Sequence, residues 1–132
     1  MDLLEELVAE RDIRKTLALY AQYTDDLDAE GWVNMFTEDG VMVSGPKRMH
    51  GHAELRAWIA KVHSGPKLRH MMANAAITID SPTTAHVEVD MGLLRAEGSR
   101  WALVSSPRYS DKLVKTAAGW KFLERILHHR AP

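Results

Sequence analysis

The chain has 132 residues, and its 17 basic and 18 acidic side chains give a formal charge of −1, so no excess field gathers phosphate backbones or anionic lipid; nucleic acid and membranes are excluded as partners. Apolar residues at 45% and charged residues at 27% fit one folded domain over residues 1–132 with a real core. The absence of cysteine removes disulfides, thiolate nucleophiles and zinc–thiolate sites, and the acidic, amphipathic start MDLLEELVAERD is no secretory signal, so the chain reads as cytoplasmic.

Residues 2–24 carry Leu4, Leu7, Val8, Ile13, Leu17 and Tyr20 at the three-and-four spacing of one helix face. A shorter helix over 28–36 is expected to bury Trp32, Met35 and Phe36, before the polar TEDG turn. Residues 40–44 form a short strand and GPKRMHGH a loop. AELRAWIAKVHSG then sets Leu55, Trp58, Ile59 and Val62 at helical spacing and closes on Gly65.

Four long antiparallel strands joined by hairpins are expected over 68–80, 85–96, 100–115 and 120–128, with turns at SPTT, EGS and AAG. In HVEVDMGLL, Val87, Val89, Met91 and Leu93 share one face. The same alternation carries His70, Met72, Asn74 and Ala76 to one face, and Pro107 marks a bulge or an edge. Helices followed by a meander of strands predict an α+β fold with helices against one curved sheet.

The stretch YAQYTDDLDAEGWVNMFTEDGVM resembles the opening of the SnoaL-like branch of the nuclear transport factor 2 superfamily, with Tyr20, Asp25, Trp32, Phe36 and Asp39 in the family's places. GHAELRAWI, LRHMMANAAITID and RYSDKLVKTAAGWKFLERIL extend the likeness over nearly the whole chain. The resemblance implies a cone-shaped α+β barrel, N-terminal helices packed against a curved, mostly antiparallel sheet, and a homo-oligomer, dimer or trimer.

Asp25 and His70 are similar in placement to the dyads of scytalone dehydratase, hexachlorocyclohexane dehydrochlorinase and the bile-acid 7α-dehydratases, all eliminating enzymes. The last also have a tyrosine where Tyr20 stands. Where those dehydratases carry a tyrosine on the first strand, GVMVSG offers only Ser44. The implied activity is a cofactor-independent lyase acting on a small cyclic, largely apolar substrate. In that reading Asp25, His70 and Tyr20 are catalytic, and Tyr23, Trp32, Met72 and Asn74 contact the substrate.

A histidine suits elimination because its ordinary pKa, about 6.5, lets it take and return a proton near neutral pH. A carboxylate bonded to one ring nitrogen fixes the tautomer and steadies the imidazolium that forms. Taken alone, a strand histidine is more often a core or surface residue, and tyrosines and methionines on apolar faces are more often core. Two alternatives stay open: an isomerase or cyclase in which Asp25 itself shuttles the proton, and a non-catalytic ligand-binding or assembly module. His50 with His52, and His128 with His129, lack the further donors a metal needs, so no metal is expected.

Overall fold

The computed structural model describes residues 1–132 in the order α1 (Leu3–Asp25), α2 (Ala29–Val33), β1 (Phe36–Ser44), β2 (Lys47–His50), α3 (Gly51–His63), β3 (Leu68–Ser81), β4 (Thr84–Glu97), β5 (Arg100–Ser105), β6 (Arg108–Thr116) and β7 (Gly119–His128). Helix α1 opens with a capping box in which Asp2 accepts from the Glu5 N–H and Glu5 accepts from the Asp2 N–H. Ile13, Leu17 and Tyr20 are buried as the periodicity requires, whereas Leu4, Leu7 and Val8 remain exposed. No helix is long and apolar enough to cross a membrane.

The strands form one mixed sheet in the order β2-β1-β7-β6-β4-β3, with β5 added beside β4. Only β1 and β7 run parallel. The expected cone-shaped barrel is not formed. β2 and β3 are the ends of the strand order and do not pair with each other, and the sheet is neither closed nor strongly curled. Two helices supply a physical reason. Helix α1 packs on β3 and α3 on β1 and β2, so the outer strands are held by helices rather than by each other.

Local departures from the sequence reading have identifiable causes. The second helix ends at Val33, and Phe36 already begins β1, because the Phe122 N–H donates to the Met35 carbonyl and draws this segment to β7. Half of the expected loop, Lys47–His50, is strand, paired with β1 through Met42↔Met49. The expected strand over 100–115 divides at Pro107, and both pieces pair with β4, β5 against its end and β6 against its start. Proline lacks the N–H a continuous ladder would need, and its carbonyl accepts from Met91 instead.

The alternation assigned to β3 fails at one residue. Between Ala73 and Ala76 the pairing with β4 gains an extra residue, and Asn74 sits there at φ 55°. His70 and Met72 are partly buried, as are Ala75, Ile77 and Ile79 beyond the bulge, but Asn74 and Ala76 are exposed. Asn74 therefore does not share His70's face. Its amide donates to Asp90 Oδ2 at 3.1 Å on the outside of the sheet. An Asn74→Val change is expected to cost about 1–2 kcal/mol in denaturant unfolding, because a β-branched side chain fits the left-handed region poorly, while Asn74→Gly should be nearly neutral.

The core lies between the inner face of the sheet and α1, α2 and α3. Tyr20, Trp32, Phe36 and Phe122 make tilted and edge-on ring contacts with centroids 5.0–6.4 Å apart. Gly40 lets β1 cross this layer: a Cβ there would lie 2.9 Å from both Phe36 Cβ and the Thr37 carbonyl oxygen. Gly40→Ala is expected to destabilise by about 1–3 kcal/mol through this overpacking, read as a lower thermal midpoint.

Candidate active site

Asp25 is the last residue of α1, and His70 is the third residue of β3. His70 pairs with Leu93 of β4 on one side. On its other side β3 is an edge, and the free His70 backbone N–H donates to Asp25, 3.0 Å from Oδ2 and 3.2 Å from Oδ1. The ring then turns onto the same carboxylate, with Nδ1 2.7 Å from Oδ1. Both side chains are almost wholly buried, at 9% and 8% exposure. Arg69, half exposed, places Nε 3.7 Å from Asp25 Oδ2 and adds positive charge on the solvent side.

The geometry fixes what each atom does. With Asp25 ionised, His70 Nδ1 is the donor, which leaves Nε2 with the lone pair. One carboxylate thus holds both the backbone and the ring of the same histidine, and the ring cannot turn without giving up the Nδ1 hydrogen bond, which burial makes costly to lose.

His63, at the end of α3, was not singled out from the sequence. Its Nε2 lies 3.0 Å from the Thr24 carbonyl oxygen, tying the end of α3 to the last turn of α1, one residue from Asp25. Its helical phase beside Val62 gave no signal of this role. A cavity of about 240 Å³ opens here, lined by Asp25, Leu27, Val62, His63, Lys67 and Leu68 among others. Asp25 lines this cavity and His70 does not.

The other nominated residues are dispersed. Tyr20 is 2% exposed, and its hydroxyl donates to Met42 Sδ at 3.7 Å rather than to either member of the pair. Burial raises its pKa above the ordinary tyrosine value, with the Arg125 guanidinium opposing the shift. Trp32 packs against Tyr20 with centroids 5.8 Å apart, and its buried Nε1 has no hydrogen-bond partner. Met72 and Asn74 line a cavity of about 250 Å³ beside Arg14, Leu17 and Ala18. Tyr23 lines a larger groove on another side of α1. Among the histidines weighed as ligands, His52 Nε2 lies 3.0 Å from the Phe36 carbonyl oxygen and His128 Nε2 3.0 Å from Ser110 Oγ.

A buried ion pair forms the centre of the core. Arg125 on β7 donates from Nε to Asp111 Oδ1 at 2.8 Å and from Nη2 to Oδ2 at 3.2 Å, and both side chains are fully inaccessible. The guanidinium carbon stands 3.7 Å from the Tyr109 ring centre, 4.1 Å from that of Tyr20 and 4.5 Å from that of Phe122. Burial pushes the Asp111 carboxyl up to about 6, against the lowering effect of Arg125. Asp111 had a sequence signal, since it takes the inward phase between Tyr109 and Leu113.

The chain is an α+β sheet packed under N-terminal helices, with a buried histidine–carboxylate pair between the first helix and an edge strand. The chain belongs to the SnoaL-like domain family, whose sequence profile matches residues 5–126. It is similar to a variant of Rv3472, a protein of unknown function from Mycobacterium tuberculosis, at 22% identity over 100% of this chain and 78% of that one, with a TM-score of 0.94. It is also similar to a candidate scytalone dehydratase from Novosphingobium aromaticivorans, at 21% identity over 96% of this chain and 87% of that one, with a TM-score of 0.87. A third likeness is to ActVI-ORFA from Streptomyces coelicolor, at 22% identity over 91% and 96%, with a TM-score of 0.80. At these identities the likeness shows the fold alone. No curated protein matches the chain.

Proposed function

We propose that the chain, taken as one domain over residues 1–132, is a cofactor-independent lyase that eliminates water from a small cyclic, largely apolar substrate. The observation that carries this reading is the 2.7 Å contact between His70 Nδ1 and Asp25 Oδ1 in a nearly dry setting. His70 Nε2 takes a proton from carbon, the electron pair of that C–H bond forms the new double bond, and the C–O bond on the neighbouring carbon breaks. The imidazolium, steadied by Asp25, then returns its proton to the departing hydroxide, which leaves as water. The cavity of about 240 Å³ with apolar walls at Leu27, Val62 and Leu68 reaches Asp25 and not His70, so the elimination reading requires the substrate to reach His70 Nε2 from beyond that cavity. The name of the Novosphingobium relative points to elimination.

A second reading keeps the site and changes the base. Because Asp25 rather than His70 lines the cavity, an isomerase in which Asp25 moves a proton beside a carbonyl is the alternative. The exposed Leu3, Leu4 and Leu7 on α1, with Met71, Trp101 and Leu103 on the sheet, support a homo-oligomer. The function is tested by incubating the chain with small cyclic β-hydroxy ketones and following formation of the conjugated enone by its absorbance. Elimination by the wild-type chain and not by His70→Ala supports the lyase. Double-bond migration without loss of water supports the isomerase, and binding without turnover supports a plain binding module.

A further inference from the structure

The groove that Tyr23 lines has chemistry of its own. It measures about 470 Å³ and lies between α1, the turn that follows α2 and the β6–β7 hairpin. Leu19, Met35 and Trp120 give it an apolar lining. Its polar lining residues include Lys15 and Lys115, the latter on the same face of the hairpin as Trp120, with Lys121 on the opposite face, and Tyr23 and Asn34, whose hydroxyl and amide both donate and accept. None of the three lysines has a carboxylate within ion-pair distance, although Lys112, three residues before Lys115 on β6, does, with Glu124. The single acid on the rim, Asp12, already holds Arg11 at 2.8 Å, and the Thr16 hydroxyl is taken by the Asp12 carbonyl.

Two cations on the groove face, Lys15 and Lys115, against one engaged carboxylate, on a chain whose net charge is −1, make a local field opposite in sign to that of the whole. A groove of this size, with apolar residues and unpaired lysines in its lining, matches a ligand with a flat apolar body and an acidic head. We propose that this groove is a binding site for a small amphipathic organic anion, such as an aromatic or acyl carboxylate, with its head at Lys15 and Lys115 and its body on Trp120 and Met35. It is separate from the His70–Asp25 pair and stands or falls apart from the elimination reading.

The test uses anilinonaphthalene sulfonate, which joins an apolar bicyclic body to one anionic group and fluoresces when bound, and phenylnaphthylamine, which has a similar body without the charge. Saturable one-to-one binding of the sulfonate is expected, with amide shifts in NMR spectra at Tyr23, Asn34 and Trp120. The Lys15→Glu/Lys115→Glu variant should bind it about tenfold more weakly or worse, because attraction becomes repulsion, while its thermal midpoint stays unchanged. Added salt should weaken binding in the wild type. The proposal is overturned if the sulfonate does not bind, if phenylnaphthylamine binds as tightly, or if the double variant keeps its affinity. A single Lys15→Glu change on α1 serves as the second variant should the double substitution disturb folding, with the same expected direction.

Discussion

Replacing Arg125 by methionine is expected to destabilise the chain by about 3–5 kcal/mol, seen as a fall of about 10 °C or more in the thermal midpoint. The substitution keeps much of the volume over the Tyr20, Tyr109 and Phe122 rings but leaves the Asp111 carboxylate buried without its counter-charge. The effect should depend on pH with a definite sign. In the wild type the Asp111 pKa is raised to about 6, so this group favours the folded state below its unfolded value of about 4 and loses that contribution as pH rises through about 6. Without Arg125 the only lowering influence is gone and the folded value climbs further. The variant should therefore lose more stability relative to wild type at pH 8 than at pH 5. Asp111→Leu combined with Arg125→Met should recover most of the loss, since a well-packed apolar pair can replace a buried ion pair at little cost. Urea unfolding at the two pH values checks all three outcomes.

The largest expected effect on turnover is at His70. If it is the base, His70→Ala should lower turnover by about 100 to 10,000-fold with a small change in substrate affinity. Asp25→Asn should fall in the same range, because the amide oxygen can still accept from the Nδ1–H but the group carries no negative charge to steady the imidazolium. The double variant should be hardly worse than either single one, as expected of groups that act as a unit. Loss with Asp25→Asn and survival with His70→Ala would transfer the proton step to the carboxylate. Asp25→Ala should also cost about 1–3 kcal/mol of stability, because the edge N–H of β3 loses its acceptor.

The pairing of Asp25 with His70 was open to sequence reasoning, since the family resemblance set an acid at the end of the first helix against a histidine on a later strand. What it did not disclose is that the acid also satisfies a strand edge, which depends on β3 being an outer strand. Residues whose role depends on a regular repeat, such as Val87, Val89 and Met91, lie where alternation puts them. Those beyond a break do not. Asn74 was misplaced by one inserted residue, and Arg125 was hidden by the register shift that follows Phe122. Closure of the sheet was misjudged for a larger reason, because strand periodicity reports which face is buried and carries no information about whether the outer strands meet. Tyr20 and Trp32, whose roles the family resemblance supplied, pack together in the aromatic layer, where the Tyr20 ring lies over Arg125.

The bulge at Asn74 makes the location of His70 a matter of counting. Leu68, His70 and Met72 lie inward at even positions, and Ala75, Ile77 and Ile79 at odd ones. Removing one residue at the bulge would merge the two halves into a single phase, and whichever half held its register would reverse the other. If the half rooted in the core prevailed, Arg69 and Met71 would turn inward and the imidazole would face solvent. The position of the proposed base is thus encoded as much by the length of a strand as by the identity of a residue, and a one-codon deletion could silence it with every side chain named in the site still present.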